Sequence, residues 1–591
     1  MRAFPIALAL VLSLCAGVAH ARATIDKVRI EGLDSDDDAA IIENIEVSLS
    51  LYDAVGKPQG ESRLEYMFSQ AQRQTAQALE PFGYYNPTVT VEAPRSDDHL
   101  TVVVHVDKGE PVRVRNSHIT MEGWATEDSY IQDDLKAFKP AVGETFDHAT
   151  YEASKVTITR RLAERGYFDA DFTQRKVEIT RAEHAADIDL GWDSGRRYDM
   201  GPVRFDYDYF RPGLFDPLVY WDEGSYYHEG KLDRLRESLT KLDYFGGIDI
   251  QPKPDEADDQ GRVPIDVKLT RAKRSIYTAG LSYGSESGPG VRGGVERRYI
   301  NRRGHKVDTQ LDYADKRKSL TTSYRIPAFL WLDGWYTFAA RAYDEQTKYI
   351  DLRNFKLVAS RSGQINDHWT AVASLNALRE RWRYAHNDVY GSQYSTATLV
   401  YPQLSANYAA VDDRMFPRHG IAADMTLRGG TKGVGSDASF LQVQGTLRWF
   451  LAAGDNGRLI LRGEAGTTLT GDLVSLPPSL RFFAGGDNSV RGYAFREVGP
   501  RTAPPERYAE GAKHVFTGSV EYEHYFKGGP LGAAVFVDSG SAFDDRPDWQ
   551  TGVGFGIRYK SPVGPVRVDI GHGLNHPDSQ FQLYINIGAN L

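Results

Sequence analysis

The chain has 591 residues, a formal net charge of −10, 25% charged residues and a mean hydropathy of −0.46. The acidic balance argues against a general polyanion-binding surface, so nucleic acid is not an expected partner. The low hydropathy points to a soluble protein with one exempt class, the transmembrane β-barrel, whose strands alternate lipid-facing and lumen-facing side chains.

The only long apolar run, Phe4 to Ala19, follows Arg2 and ends in Ala19-His20-Ala21. A basic start, an apolar core and small residues at the cleavage site predict an export signal over residues 1–21. A membrane anchor would need about 20 apolar residues. Cys15 is not preceded by the small residue that a lipid-modified N-terminus requires, because Leu14 stands there. Its removal leaves a chain without cysteine, so packing and strand closure must supply the stability. The run Asp34-Ser35-Asp36-Asp37-Asp38 lacks the glycine and glutamate of a calcium loop and reads as a solvated turn opening a helix.

Gly83-Tyr84-Tyr85-Asn86 recurs 83 residues later as Gly166-Tyr167-Phe168-Asp169, with Tyr244-Phe245-Gly246 as a degenerate third copy. A helical pattern leads into each: Leu64, Phe68, Ala71, Thr75, Ala78 and Leu79; then Tyr151, Lys155, Ile158 and Leu162; then Leu232, Leu235, Leu239 and Leu242. Glycine turns precede the helices at Gly56, Gly143 and Gly224, and alternating strands close the units at 100–106, 187–190 and 263–269. Each unit reads strand, helix, helix, strand, strand, which predicts α+β repeats over 22–107, 108–191 and 192–272.

After about Arg271 alternation replaces the helical pattern. Phe581, Leu583, Ile585, Ile587, Ala589 and Leu591 fall on one face of the last segment, opposite Gln582, Tyr584, Asn586, Gly588 and Asn590. Residues 273–591 hold 319 residues, and about 20 per strand and connection gives about sixteen antiparallel strands of a transmembrane β-barrel. In lipid no strand edge is left unpaired, so the first strand, near Ser275 to Ser285, is expected to meet the last, near Gln580 to Leu591.

Candidate chemistry is sparse. Gly280-Leu281-Ser282-Tyr283-Gly284 matches a nucleophile elbow in letters, but Tyr277, Ala279, Leu281 and Tyr283 continue an alternating strand and no helix follows. There is no Walker-type loop, dinucleotide fingerprint or H-E-x-x-H helix, and the 15 histidines show no metal-ligand spacing. No catalytic residue, metal ligand or cofactor is therefore expected, and the chain does not read as an enzyme.

Three motifs remain, in order. Val490-Arg491-Gly492-Tyr493 lies in a loop-rich stretch, Phe536-Val537-Asp538-Ser539-Gly540 on a strand, and Gly556-Ile557-Arg558-Tyr559-Lys560-Ser561-Pro562-Val563-Gly564-Pro565 on the next. Alternation sends Phe536, Asp538 and Gly540 to the lumen and Val535 and Val537 to lipid. A lumenal carboxylate wants a partner, and Arg491 on a loop folded inward supplies a bidentate pair. Gly492 lets that loop approach the wall closely.

With these residues the chain resembles the BamA/TamA superfamily of outer-membrane assembly proteins, in which periplasmic POTRA domains precede a sixteen-stranded barrel. The loop-six V-R-G-[FY] motif falls on Val490, Arg491, Gly492 and Tyr493, and the F-x-D-x-G motif on Phe536, Asp538 and Gly540. The G-x-R-x-x-S-P-x-G-P motif falls on Gly556, Arg558, Ser561, Pro562, Gly564 and Pro565. Repeat number sorts the members, and three repeats favour the TamA-like branch. The resemblance implies an outer-membrane location with the repeats in the periplasm. It also implies work with a TamB-like inner-membrane partner to insert or assemble unfolded outer-membrane and autotransporter clients, and a link to outer-membrane lipid. A two-partner secretion translocator or a general BamA-like insertase would share the barrel and its motifs. The implied mechanism uses a weak seam between the first and last strands, where an incoming strand pairs by β-augmentation.

Overall fold

The computed structural model describes residues 22–587 apart from 97–98, 285–286, 330–333, 348–349, 385–392, 503–508, 562–563 and 576–580. The expected export signal with Cys15, together with Ser285, Pro562, Val563, Gln580 and residues 588–591, including Ala589 and Leu591 of the closing strand, lies outside the described residues. Two compact units emerge. The first holds residues up to Arg204 with 221–234 and 250–266, and the second holds 205–220, 235–249 and 267–591.

In the first repeat β1 (Arg22–Glu31) pairs in parallel with β5 (His99–Asp107), while β2 (Pro58–Gly60) pairs antiparallel with β1. The strands β3 (Thr88–Glu92) and β4 (Arg95–Ser96) join β5 antiparallel. The helices α1 (Ala39–Ser48) and α2 (Glu61–Leu79) bury Ile41, Ile45, Leu64, Met67 and Leu79 against Ile25, Val102 and Val104 of the sheet. Met67 carries the burial that the helical spacing assigns to Phe68, which is only partly covered. The acidic run departs from a purely solvated turn. Asp34 caps the backbone N–H groups of Asp36 and Asp37, but Asp38 is buried and paired with Lys108 at 2.6 Å.

The second repeat runs β6 (Arg113–Glu122), α3 (Ser129–Lys136), α4 (His148–Glu164), β7 (Asp171–Thr180) and β8 (Ala185–Asp193), with sheet order β6-β8-β7. Tyr151, Ile158 and Leu162 of α4 pack on Ile188, Leu190 and Trp192. Lys155 keeps its stem on that buried face and its ammonium 2.5 Å from Glu152. The third repeat has β9 (Asp199–Asp206), α5 (Glu229–Lys241), β10 (Phe245–Pro252) and β11 (Arg262–Arg271) in the order β10-β11-β9. Its expected first helix is missing among the described residues. A single 3-10 turn at Asp216–Leu218 stands in its place, because Pro212, Gly213 and Pro217 break helical hydrogen bonding there.

The aromatic turns share one device. Gly83 and Gly166 sit at φ 90° and 87°, and the third copy places Asp243 at φ 55° ahead of Tyr244 and Phe245. The correct third copy is therefore Asp243-Tyr244-Phe245, with aspartate, one of the few other residues tolerated in the left-handed region, replacing glycine. Asp243 also accepts from Arg298 Nε at 2.8 Å, and Tyr244 donates to Gly304 O.

The rest of the chain is one antiparallel sheet of sixteen strands in chain order. They are β12 (Ser275–Gly284), β13 (Gly288–Arg297), β14 (Lys306–Ala314), β15 (Arg317–Ala328), β16 (Gly334–Gln346), β17 (Ile350–Gln364), β18 (Trp369–Tyr384) and β19 (Ser395–Val411). They continue as β20 (Gly420–Gly430), β21 (Phe440–Ala453), β22 (Gly457–Leu469), β23 (His514–Tyr525), β24 (Leu531–Phe543), β25 (Gln550–Ser561), β26 (Gly564–Gly573) and β27 (Gln582–Ile587). The segment with Ser282 is part of one continuous strand, β12, which leaves no strand-to-helix elbow. On β23 to β25 the large outward residues are apolar, as with Val520, Val535, Val537, Phe555 and Ile557, each at least half exposed. Among the described residues no helix is long and apolar enough to cross a membrane.

Candidate functional site: a lumenal loop and the barrel seam

The connection from β22 to β23 spans 470–513 and folds into the barrel. Phe482, Ala484, Val490, Tyr493, Val498 and Ala512 of this loop form an apolar cluster with Val515 and Ala542 of the wall. The cluster anchors the loop without charge. Arg491 then reaches the wall, 1% exposed.

Its guanidinium meets Asp538 in a fork: Nε donates to Oδ2 at 2.7 Å and an Nη to Oδ1 at 2.9 Å. The Arg491 backbone N–H donates to the same carboxylate at 2.9 Å, so side chain and main chain are held together. The remaining donors reach Glu521 at 2.6 Å, Asp569 at 3.3 Å and Ser519 Oγ at 3.3 Å. The guanidinium carbon lies 3.4 Å from the centre of the Phe536 ring, a cation–π contact that seals the pair from below.

Arg558 of β25 extends the network, donating to Glu523 at 2.5 Å and to Asp569 and Glu521 at 2.6 Å each. Arg458 pairs with Glu523 at 2.6 Å, and Arg462 lies 3.9 Å from Asp538 while donating to the Asp487 and Ser489 carbonyls of the loop. Four guanidinium groups therefore balance four carboxylates in the lumen. Removing one member leaves a buried charge uncompensated, which costs far more than a surface pair.

The wall opposite the loop is built of glycines. Gly492 has φ 102°, and a Cβ there would sit 2.6 Å from the His572 carbonyl carbon. A Cβ on Gly552 would strike the Arg491 carbonyl oxygen, and one on Gly573 would lie 2.6 Å from the Tyr493 ring. Gly571 of β26 likewise meets the Gly492 backbone, so Gly552, Gly571 and Gly573 make room for the loop, while Gly554 and Gly556 make room for the Phe536 ring and the Asp569 carboxylate. Ser561 Oγ donates to Gly564 O at 2.5 Å where β25 meets β26, and Pro565, the second residue of β26, stands opposite Lys560.

The last strand is tied to the loop. Tyr584 of β27 donates its hydroxyl to Tyr493 O at 2.7 Å and accepts from Gly492 N–H at 2.9 Å. Asn586 donates to Asp487 Oδ2 at 3.0 Å. Phe581 and Leu583 face outward, at 72% and 52% exposure, and Ile585 is half-buried on the same side of the strand. Strands β12 and β27 come near one another, yet among the described residues no hydrogen-bonded ladder joins them.

Sequence reasoning found Arg491, Asp538 and Arg558 and missed Ser519, Glu521, Glu523, Asp569, Arg458, Arg462 and Tyr584. The signal was present in β23, where Ser519, Glu521 and Glu523 share one face, opposite Phe516, Val520 and Tyr522. Asp569, beside Arg567, and Tyr584, between Gln582 and Asn586, were visible as polar residues on lumenal faces, without anything in the sequence to name their partner.

Residues 300–590 match the Omp85 superfamily domain. Residues 27–108 match "POTRA domain TamA domain 1", and 114–191 match a POTRA model described as a surface antigen variable number repeat. The barrel is thus an Omp85 superfamily domain carried behind POTRA domains, and the protein resides in the outer membrane with those domains in the periplasm. Among known proteins the chain is similar to the outer membrane protein assembly factor BamA of Nitratidesulfovibrio vulgaris, at 23% identity over 60% of this chain and 46% of the relative. It therefore spans about half the length of that relative. It is 20% identical to BamA of Neisseria meningitidis serogroup B, over 88% of this chain and 72% of the relative. The crystal structure of Haemophilus ducreyi BamA lacking POTRA domains 1-3 superposes with a TM-score of 0.65 at 15% identity, covering 81% of this chain and all of that one, and shares its fold.

Proposed function

We propose that this protein is a TamA-like outer-membrane assembly factor, which helps insert or assemble outer-membrane and autotransporter proteins with a TamB-like inner-membrane partner. The observation that carries this reading is the asymmetry of the barrel. A charged network and the inward loop brace β22 to β26, whereas β12 offers an edge without a described ladder to β27. An open edge in lipid is costly unless another strand fills it, and an unfolded client carries such strands. Arg491, Gly492 and Tyr493 act as the brace that keeps the barrel intact while the seam opens, and Tyr584 couples the brace to the closing strand. The three predicted repeats over 22–107, 108–191 and 192–272, the first of them matching the TamA domain model, support the TamA-like branch.

The test is a photo-crosslinking residue at Tyr277 or Leu281, both outward on β12 at 69% and 91% exposure, with Val535 on β24 as control. Nascent outer-membrane or autotransporter strands trapped at Tyr277 or Leu281 but not at Val535 are the expected outcome. Equal trapping at both walls would sink the seam mechanism. Capture of the full chain from crosslinked envelopes separates the branches: a single large inner-membrane-anchored periplasmic protein fits the TamA-like reading. A set of lipoproteins argues for a general insertase, and a lone secreted protein for a translocator.

A further inference from the structure

Outside the lumen, a strongly basic patch lies on the lipid-facing wall. Strand alternation puts Arg379, Arg381 and Arg383 of β18 on the same outward face as Ala373, Leu375 and Ala377. In the ladder Arg381 stands opposite Arg353 of β17, which shares the outward face of Phe355 and Leu357. Like charges directly opposed on one sheet face repel. Two carboxylates answer four guanidinium groups: Asp344 lies 3.1 Å from Arg353, and Asp351 lies 3.5 Å from Arg383. The Tyr394 ring packs 4.3 Å and 4.6 Å from the Arg381 and Arg383 guanidinium carbons. Among the described residues no carboxylate pairs with Arg379 or Arg381, and both are exposed.

The level of this patch follows from the topology. The chain enters the barrel from the periplasmic repeats along β12, so β18 climbs from Trp369 at the periplasmic end to Tyr384 at the surface end. Charge on the lipid face is tolerated only near an interface, which sets the arginines at the headgroup level of the surface leaflet. The outward faces of β23 to β26 carry no lysine or arginine among the described residues, so the patch belongs to one wall.

Below the arginines the same wall is dented. A depression of about 390 Å³ is lined by Tyr336, Phe338, Ala359, Ala373, Leu375 and Leu404, with Arg361, stacked on the Tyr336 ring, at its edge away from the arginine patch. It exists because two small residues, Ala359 and Ala373, lie on adjacent strands between larger ones. Leu375 is four residues from Arg379, roughly 13 Å along the strand, which brings the dent within reach of an acyl chain hanging from the arginine level.

We infer that this wall binds a phosphorylated, acylated glycolipid of the surface leaflet, its phosphate on Arg353, Arg379 and Arg381 and one acyl chain in the depression. Guanidinium forks match phosphate oxygens bidentately, and an anion between Arg353 and Arg381 turns their repulsion into attraction. The inference rests on the outer-membrane location and not on the assembly function.

The experiment uses the full-length protein in detergent micelles, titrated with bisphosphorylated lipid A, with the same lipid dephosphorylated, and with phosphatidylglycerol, with inorganic phosphate as competitor. The wild type is expected to bind the phosphorylated glycolipid at least tenfold more tightly than either other lipid, with no displacement by inorganic phosphate. The variant Arg353→Gln/Arg379→Gln/Arg381→Gln should lose that preference, and Ala373→Trp, which fills the dent and keeps the arginines, should weaken binding several-fold. Equal binding of the dephosphorylated form or of phosphatidylglycerol by wild type, displacement by inorganic phosphate, or an unchanged preference in the folded triple variant would overturn the proposal. Unchanged binding by Ala373→Trp would remove the acyl-chain half of it.

Discussion

Between β23 and β26 neighbouring strands pair over ten to twelve residues, and their lumenal side chains close a network of four cations and four anions around an inserted loop. On the other side of β26 the described part of the ladder to β27 runs from Val566↔Ile587 to Gly571↔Gln582. Beyond β27, no described ladder leads on to β12. The two regions belong to one sheet and are held by different means. The wall is fixed by directional charge pairs shielded from water, each needing the others. The last strand is held by its ladder to β26 and by the hydroxyl of Tyr584 on the loop backbone. Charge pairing is concentrated where the loop lies, and the proposed mechanism assigns partner exchange to the adjoining edge.

The largest effect is expected from the centre of the wall. Arg491→Ala leaves Asp538 buried without its fork, a loss of about 3–5 kcal/mol. The barrel should lose its heat-modifiable band on electrophoresis and its assembly activity, while the repeats keep their circular dichroism. A variant that retains both barrel stability and client insertion would contradict the brace. Next, Arg491→Met combined with Asp538→Leu should cost less than the two single changes together, with a coupling of about 1–3 kcal/mol because they share one network. Additive effects in a thermal melt would mean that the pair is not coupled.

Gly492→Ala forces a side chain to φ 102° against the His572 backbone and should cost about 1–3 kcal/mol. The loop should then become susceptible to protease at the surface end, with β23–β25 still intact. Smaller still, Tyr584→Phe removes two hydrogen bonds of the seam, about 1–2 kcal/mol. It should raise crosslinking at Tyr277 without changing the melting of the wall, which sharpens the division between the two regions.

Asp128 supplies a control away from the barrel. It caps α3, accepts from Arg165 at 2.6 Å and from Tyr167 at 3.2 Å, and is buried. Burial pushes its carboxyl up, but Arg165, with help from Tyr167 and the Tyr130 N–H, outweighs this and holds it below the ordinary 3.8. The stability it adds is therefore present above that ordinary value and is lost as pH falls through the lowered one. Asp128→Asn should loosen amide protection in 113–193 by about 1–2 kcal/mol at neutral pH. That difference should shrink in acid, and the barrel should not respond at any pH.

Much of this architecture could be read from letters, for definite reasons. The period-two pattern of Phe581, Leu583 and Ile585 can only be a strand, and strand length against chain length limits the barrel to about sixteen. The third repeat was harder, because Asp243 takes a left-handed conformation that sequence assigns to glycine, and because Pro212 and Pro217 erase a helix that the other copies keep. At the site, Arg491 and Asp538 were legible because each is a lone charge in an apolar or glycine-rich context. Glu521, Asp569 and Tyr584 were not, since they become partners only when β23, β26 and β27 curve around the loop, a relation of residues up to 92 positions apart.

Hydrogen exchange of the full-length protein in lipid nanodiscs tests the central claim most directly. The account predicts that amides of β12 and β27 exchange at least tenfold faster than those of β23 to β25, and that Arg491→Ala abolishes the protection of the latter. Equal protection around the whole barrel, unchanged by Arg491→Ala, would contradict it.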